Sequence, residues 1–394
     1  MTFNFLPVEL LSEIANQKIL TNKDLANLAR VNHRSHEAAC ARLYRSGELS
    51  YVGATKNDAV KVDSYGKNGK FVRILKLNLF SLPTSPISIP TAIFPLLTTF
   101  VNLHRIHLTD SASLSWPSFL HVLAIIITSH PYLKILEVQR TLTKPDGRSS
   151  IPQASALIES HKANKGRFSK LDIFILRLSK KEEPYLISRA AMNNLITILT
   201  PATRSAKAFT YSSDCWESAD IDLKGTVGGD DRGALAWEWD NLEELTLKFP
   251  EPRWFTAGST TLVGDANPSL AKNLSFQRDL GTVKRLALRT RDDLLSDSEA
   301  FFIGGISVMP NLEYIRMTQS RRGTDWNPKP SSGIHPFHRL AEEIPNLKYI
   351  EQTDPYYLTR RIQCLEVIRN EDGTIKFQYI EPEEPWIGYY EWDQ

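Results

Sequence analysis

Leu103-His104-Arg105-Ile106-His107-Leu108 decides how this chain is read: large apolar residues fill the first, fourth and sixth places, and polar or charged ones stand between them. Alternation over the last three places is the period of a strand with one face buried. Aligned against itself, the chain repeats the pattern at Val72/Leu75/Leu77, Leu133/Leu136/Val138, Leu171/Phe174/Leu176, Leu242/Leu245/Leu247, Val283/Leu286/Leu288 and Leu312/Ile315/Met317. An eighth copy, Leu347/Ile350, has Gln352 in its sixth place and reads as a terminal repeat. A weaker ninth, Ala206/Phe209/Tyr211, fills the long gap after Leu171, so successive copies stand 29 to 41 residues apart. Self-similarity at such a period marks a repeat architecture.

Between the copies lie helical patterns over Ser115–Thr128, Ala154–Lys162, Glu183–Leu199 and His335–Ile344, with apolar residues at three- and four-residue steps. Strand alternating with helix describes an α/β solenoid, and the array resembles the irregular leucine-rich repeats. Inward leucines would then alternate with side chains on an open strand face. The outward positions carry Lys76, Arg105, Arg177, Lys248, Arg285, Arg289 and Arg316 against Glu137, Glu244 and Glu351, with His107 and Tyr314 among them. Those seven cations, with His107 and Tyr314, are the expected target-binding residues. Arginine forks pair with carboxylate and phosphate, so an acidic or phosphorylated target segment is expected, with Arg285, Arg289 and Arg316 at its centre.

The N-terminal residues form a different pattern: Phe5-Leu6-Pro7-Val8-Glu9-Leu10-Leu11-Ser12-Glu13-Ile14, a polar break, then Asp24-Leu25-Ala26-Asn27-Leu28-Ala29-Arg30-Val31 and a final stretch from Ser35 to Tyr44. Pro7 suits a first helical turn, because its φ is fixed and its missing N–H would be unpaired there. Leu10, Leu11 and Ile14 form an apolar stripe opposite Glu9, Ser12 and Glu13. Thr21 and Asp24 are spaced for a capping box ahead of Leu25, Leu28, Ala29 and Val31. Three such short helices bury little apolar surface on their own, and a partner would offset that.

This stretch resembles an F-box, matching at Leu6-Pro7, at Leu10, Leu11 and Ile14, and at Leu25, Leu28 and Val31; the bulky third-helix aromatic common in the family is replaced by Leu43 and Tyr44. The resemblance implies docking to a Skp-type adaptor, and through it a cullin scaffold, by Leu6, Pro7, Leu10, Leu11, Ile14, Leu28 and Val31. It implies the substrate-recognition subunit of an SCF-type ubiquitin ligase, of the kind the large fungal set of F-box proteins provides. The expected organisation is an F-box-like domain over residues 1–48, a leucine-rich-repeat-like solenoid over 49–360, and a capping hairpin with an acidic aromatic tail over 361–394.

In that last part, Asn370-Glu371-Asp372-Gly373 is a turn signal between two strand-like runs, and Trp386, Tyr389, Tyr390 and Trp392 stand among acids beyond it. Long segments between repeats hold Trp216, Trp237, Trp239, Trp254 and Trp326, expected chiefly to pin those segments to their own domain.

Composition sets the frame. The chain has 394 residues, is 42% hydrophobic and carries a net charge of +2, so it is globular and too balanced for bulk binding to nucleic acid or membrane. Three scattered cysteines, Cys40, Cys215 and Cys364, support neither a disulfide framework nor a metal site, and a reducing cytoplasmic or nuclear setting is expected. The apolar run Phe119–Ile127 is too short to cross a membrane. The pairs His33/His36, His104/His107 and His335/His338 lack further ligands, so no metal or cofactor is expected. No serine-elbow, kinase or phosphate-loop motif occurs, and the expectation is a non-enzyme. The rival readings are an interaction scaffold that promotes no ubiquitination and an enzyme whose site lies in the tryptophan-bearing segments.

Overall fold

The computed structural model describes residues 6–52, 68–80, 97–111, 114–142, 168–180, 189–213, 239–248, 281–289, 309–318, 336–353 and 361–380. They belong to two compact units, Met1–Leu171 and Asp172–Gln394.

The first unit opens with three helices: α1 (Val8–Ala15), α2 (Asn22–Leu28) and α3 (His33–Leu43). Pro7 is the N-cap of α1. Thr21 and Asp24 make the expected capping box on α2, which lowers the Asp24 pKa. The Asn32 side chain accepts from the Ser35 N–H at 2.8 Å to start α3. Leu11, Ala15, Leu25 and Ala38 form the buried centre, with Leu6, Leu20, Leu28 and Leu43 packed against it. Arg42 ties this centre to the loop after α1. Its guanidinium donates to the carbonyls of Ala15, Gln17 and Leu20, a cation on the open carbonyls of a helix end.

α3 runs almost directly into the repeats. Strand β1 (Ser46–Val52) pairs in parallel with β2 (Ile74–Phe80), β2 with β3 (Arg105–Asp110), and β3 with β4 (Ile135–Leu142). The first repeat strand thus begins two residues before the expected boundary at residue 48. It escapes the leucine pattern because Gly47 stands opposite Leu75, and only Leu49, opposite Leu77, keeps the apolar slot. Leu75, Ile106 and Leu136 lie in register, as do Leu77, Leu108 and Val138, and all six are buried. Helix α4 (Trp116–Ser129), capped by Ser115, buries Trp116, Phe119, Leu120, Leu123, Ile126 and Ile127 behind them. Each large side chain withdrawn from water there contributes about 1.5–3 kcal/mol.

The second unit continues the same plan. Strands β5 (Ile173–Lys180), β6 (Ala208–Ser213), β7 (Glu244–Lys248), β8 (Arg285–Arg289), β9 (Tyr314–Thr318) and β10 (Tyr349–Thr353) pair in parallel in chain order. Phe174, Phe209, Leu245, Leu286, Ile315 and Ile350 form the buried row, and the first two rings stack at 5.5 Å. Helices α5 (Arg189–Thr203) and α6 (Pro336–Glu343) supply Leu195, Ile198, Leu199, Phe337, Leu340 and Ala341 to the core. The hairpin β11 (Arg361–Arg369) and β12 (Ile375–Tyr379) then pairs antiparallel on β10, turning at Gly373 with φ 81°. Its Phe377 ring meets Phe337 and His338 edge-on.

The architecture is mixed α/β, with mostly parallel strands laid one per repeat, as in a leucine-rich-repeat-like solenoid. A recurring backbone feature fixes the register. The carbonyl of the residue before β1, β2, β3 and each of β5 to β9 accepts two N–H groups from the next repeat, as Arg45 does from Arg73 and Ile74 at 2.9 and 3.0 Å, and Arg73 from His104 and Arg105 at 2.8 and 3.0 Å. Asn102, Asn311 and Asn346 add a side-chain donor to the carbonyls of Lys70, Gly281 and Pro310 in the repeat before. The expected helix over residues 154–162, the tail beyond residue 380 and the tryptophans other than Trp116 and Trp239 lie outside the described residues. Trp239 is buried with its ring 4.8 Å from Phe209, as a pinning aromatic would be.

Candidate functional site

Three surfaces follow from the sequence: the helical module, and the outward strand face of each unit.

In the module, α1 divides its apolar residues between two directions. Leu11 and Ala15 are fully buried, while Val8 is 42% and Leu10 44% exposed. Leu10 and Ile14 lie one residue, about 100°, around the helix from the buried pair. Leu11, expected to face a partner, is instead part of the module's own core. Leu6, Ile14 and Leu28 are half-buried, with Leu6 and Leu28 packed on that core. Pro7 is exposed. Val31 lies in the turn after α2 rather than on the helix, its N–H bonded to the Leu28 carbonyl, and is 50% exposed. The larger exposed apolar residues of the module are therefore Pro7, Val8, Leu10 and Val31, with Ile19 in the loop after α1. Cys40, on α3, is buried 3.5 Å from His36 Nε2, and burial raises its thiol pKa.

The outward face of the first unit is open. Lys76 is exposed, and Arg105 and His107 are partly so. Register sets Glu48, Lys76, His107 and Glu137 side by side across β1 to β4, and Ser50, Asn78, Thr109 and Gln139 two residues further on. Glu137 is buried and accepts from Arg105 at 3.4 Å, with His107 Nδ1 3.3 Å from the same oxygen. Asn78 donates to Glu48 at 2.9 Å. Lys76 has no ion-pair partner among the described residues.

In the second unit most of the described outward positions are buried. Ile173, Ile175, Ala208, Thr210, Ser212, Glu244, Thr246, Ala287, Tyr314, Arg316 and Glu351 are all buried. Two of the three arginines of the expected centre, Arg285 and Arg316, are taken up by internal pairs. Arg316 donates through Nε at 2.9 Å and Nη2 at 2.7 Å to Glu351, which also accepts from the Tyr314 hydroxyl. Burial, then the Glu351 carboxylate, pushes the Tyr314 hydroxyl far up. Arg285 reaches Glu244 at 2.9 Å. Arg316 and Tyr314 are thus structural rather than accessible, and Arg285 is only partly open. Arg177 is half-buried on β5. The side chains of Lys248 and Arg289 lie outside the described residues.

The second place of each hexad also carries charge. Arg73, His104 and Lys134 stand there in the first unit, with Arg45 in register before β1, and all four are exposed. Their signal was present in the same alignment, one column from the leucines.

No cluster of metal-ligating side chains occurs among the described residues, and no described helix is long and apolar enough to cross a membrane. No family model matches the chain, and no curated protein does. Among solved structures, the leucine-rich repeat-containing protein LegL7 from Legionella pneumophila is similar at TM-score 0.40 and 12% identity, over 80% of this chain and 92% of that one. At that distance the likeness bears on neither partner nor activity.

Proposed function

We propose that this chain is a substrate-recognition subunit of an SCF-type ubiquitin ligase, docking to a Skp-type adaptor through α1 to α3 and holding a target protein on its repeats. The observation that supports it is the split of apolar residues on α1, where Leu11 and Ala15 satisfy the module's core while Val8 and Leu10 stay in water. Apolar residues left exposed on so small a module gain stability when a partner covers them. Tethering then does the catalytic work, since a target held beside a separate loaded enzyme reacts at a raised effective concentration. The chain needs no nucleophile for this.

The test is co-purification with a Skp-type adaptor, wild type against Leu10→Asp with Val31→Asp. Both positions are exposed, so the variant keeps its core, and the reading requires capture by wild type and loss in the variant. A folded wild-type chain that captures no adaptor refutes the docking assignment. Ubiquitin transfer to a bound target separates the ligase reading from a scaffold that only binds.

A further inference from the structure

At the second place of the hexad the two units differ in charge. The backbone places these residues in a row along the N-terminal ends of the strands, because the carbonyl of each accepts from the N–H of the next. Neighbours in such a row stand about 4.8 Å apart. In the second unit the row reads Asp172, Lys207, Glu243, Lys284, Glu313, Lys348, so acid alternates with base. It neutralises itself, with Lys284 3.9 Å from Glu243 and Lys348 2.8 Å from Glu313. In the first unit the row reads Arg45, Arg73, His104, Lys134, without an acid. Arg45 has no side-chain partner among the described residues, and Arg73 donates to an uncharged acceptor, the Asn102 carbonyl, at 3.2 Å. Arg105 and Lys76 extend the cations onto the adjoining open face, where Glu48 and Glu137 are the facing carboxylates. Glu137 is buried and shared by Arg105 and His107, while Arg45, Arg73 and Lys76 have no carboxylate partner among the described residues.

We infer that this edge, Arg45, Arg73, His104 and Lys134 with Arg105 and Lys76 beside it, docks an acidic segment of a protein, rich in aspartate or glutamate. The inference deepens the proposed function by naming the chemistry of the target and where it lies. Carboxylates suit the site better than a polyphosphate backbone, because Glu48 and Glu137 flank the face and the chain as a whole carries only +2. The row matches the reach of a short extended segment, and guanidinium forks pair carboxylates bidentately.

The experiment compares the full chain with two neutralised variants of equal charge change: Arg45→Gln with Arg73→Gln and Lys134→Gln, and Lys207→Gln with Lys284→Gln and Lys348→Gln. Fluorescence anisotropy follows a labelled oligoglutamate peptide and a labelled oligouridylate. The expected result is binding of oligoglutamate by wild type, at least about tenfold weaker binding by the first variant, and a change within about twofold for the second. Equal weakening in both variants, no binding by wild type, or tighter binding of oligouridylate overturns the inference. Adaptor capture by the first variant is measured alongside. Capture retained with peptide binding lost isolates this surface. A wild type that captures no adaptor yet binds oligoglutamate through these cations sinks the docking assignment and leaves this one standing.

Discussion

His130 should make the first unit sensitive to acid. It follows α4, is fully buried, and has no well-formed hydrogen bond at either ring nitrogen among the described residues. A helix C-terminus ordinarily favours an imidazolium, but here burial outweighs that attraction and the pull of the Phe100 backbone, and lowers the pKa from 6.5 to about 4. Between those values the unfolded chain binds a proton that the folded chain refuses. The stability is therefore complete above about pH 6.5 and is lost as pH falls toward 4. At about 1.4 kcal/mol per pKa unit the full loss is about 3 kcal/mol, and about 2 kcal/mol of it is reached by about pH 5. The assay is urea unfolding of wild type and His130→Leu at about pH 7.5 and about pH 5, with hydrogen exchange in β3 and β4 reporting the first unit. The substitution's own effect on packing cancels when each protein is compared with itself across pH. Wild type should lose about 2 kcal/mol more than the variant, a midpoint difference of about 1 M urea for a unit of this size. Parallel profiles, within about 0.5 kcal/mol, would refute the claim that a buried neutral imidazole is being forced to charge.

Two further substitutions probe the packing that positions the surfaces. A methyl group at Gly69 would sit 2.8 Å from the Thr99 carbonyl oxygen and 3.1 Å from the Phe100 ring, so Gly69→Ala should destabilise the first unit by about 1–3 kcal/mol, read as a lower melting temperature. Glu351→Ala should destabilise the second unit by about 3–5 kcal/mol, because it strands the buried Arg316 guanidinium and the Tyr314 hydroxyl; Glu351→Ala with Arg316→Met should recover much of the loss in a urea titration, and no recovery would mean that the pair is not the cause.

The repeat plan was legible because every buried row recurs in one dimension. Leu103, Ile106 and Leu108 are read without knowing which strand lies beside them. The capping box on α2 and the turn at Gly373 were legible for the same reason, since each is settled within four residues. β1 was hidden because Gly47 offers no side chain in the slot where its neighbours carry leucine or isoleucine. The outward face was misjudged because it was summed as a composition. Glu137, Glu244 and Glu351 counted as three acids against seven bases, yet Glu244 and Glu351 each hold the cation in register on the adjacent strand, and Glu137 lies buried beneath Arg105 and His107 rather than opposing them in solvent. One warning was available in sequence: Ile173, Ile175 and Ala208 are apolar at outward places, which an open face does not call for.

Charge placement along the strand ends carries an energetic cost that bears on what the first unit is for. Like charges on adjacent strands destabilise a sheet by about 0.2–1 kcal/mol per pair, and opposite charges stabilise it by a similar amount. A single acid at every other repeat abolishes the penalty, as Glu243 and Glu313 do between Lys207, Lys284 and Lys348. The backbone at Arg45, Arg73 and His104 is built in the same way, with the same doubly accepting carbonyls, so nothing in local geometry obliges cations there. The first unit keeps them on the edge of its open face, where the second unit buries or pairs its own. Retained repulsion at exposed positions is what an unoccupied anion-binding surface looks like before its partner arrives, and it locates the recognition of an acidic segment on the same unit that carries the three-helix module.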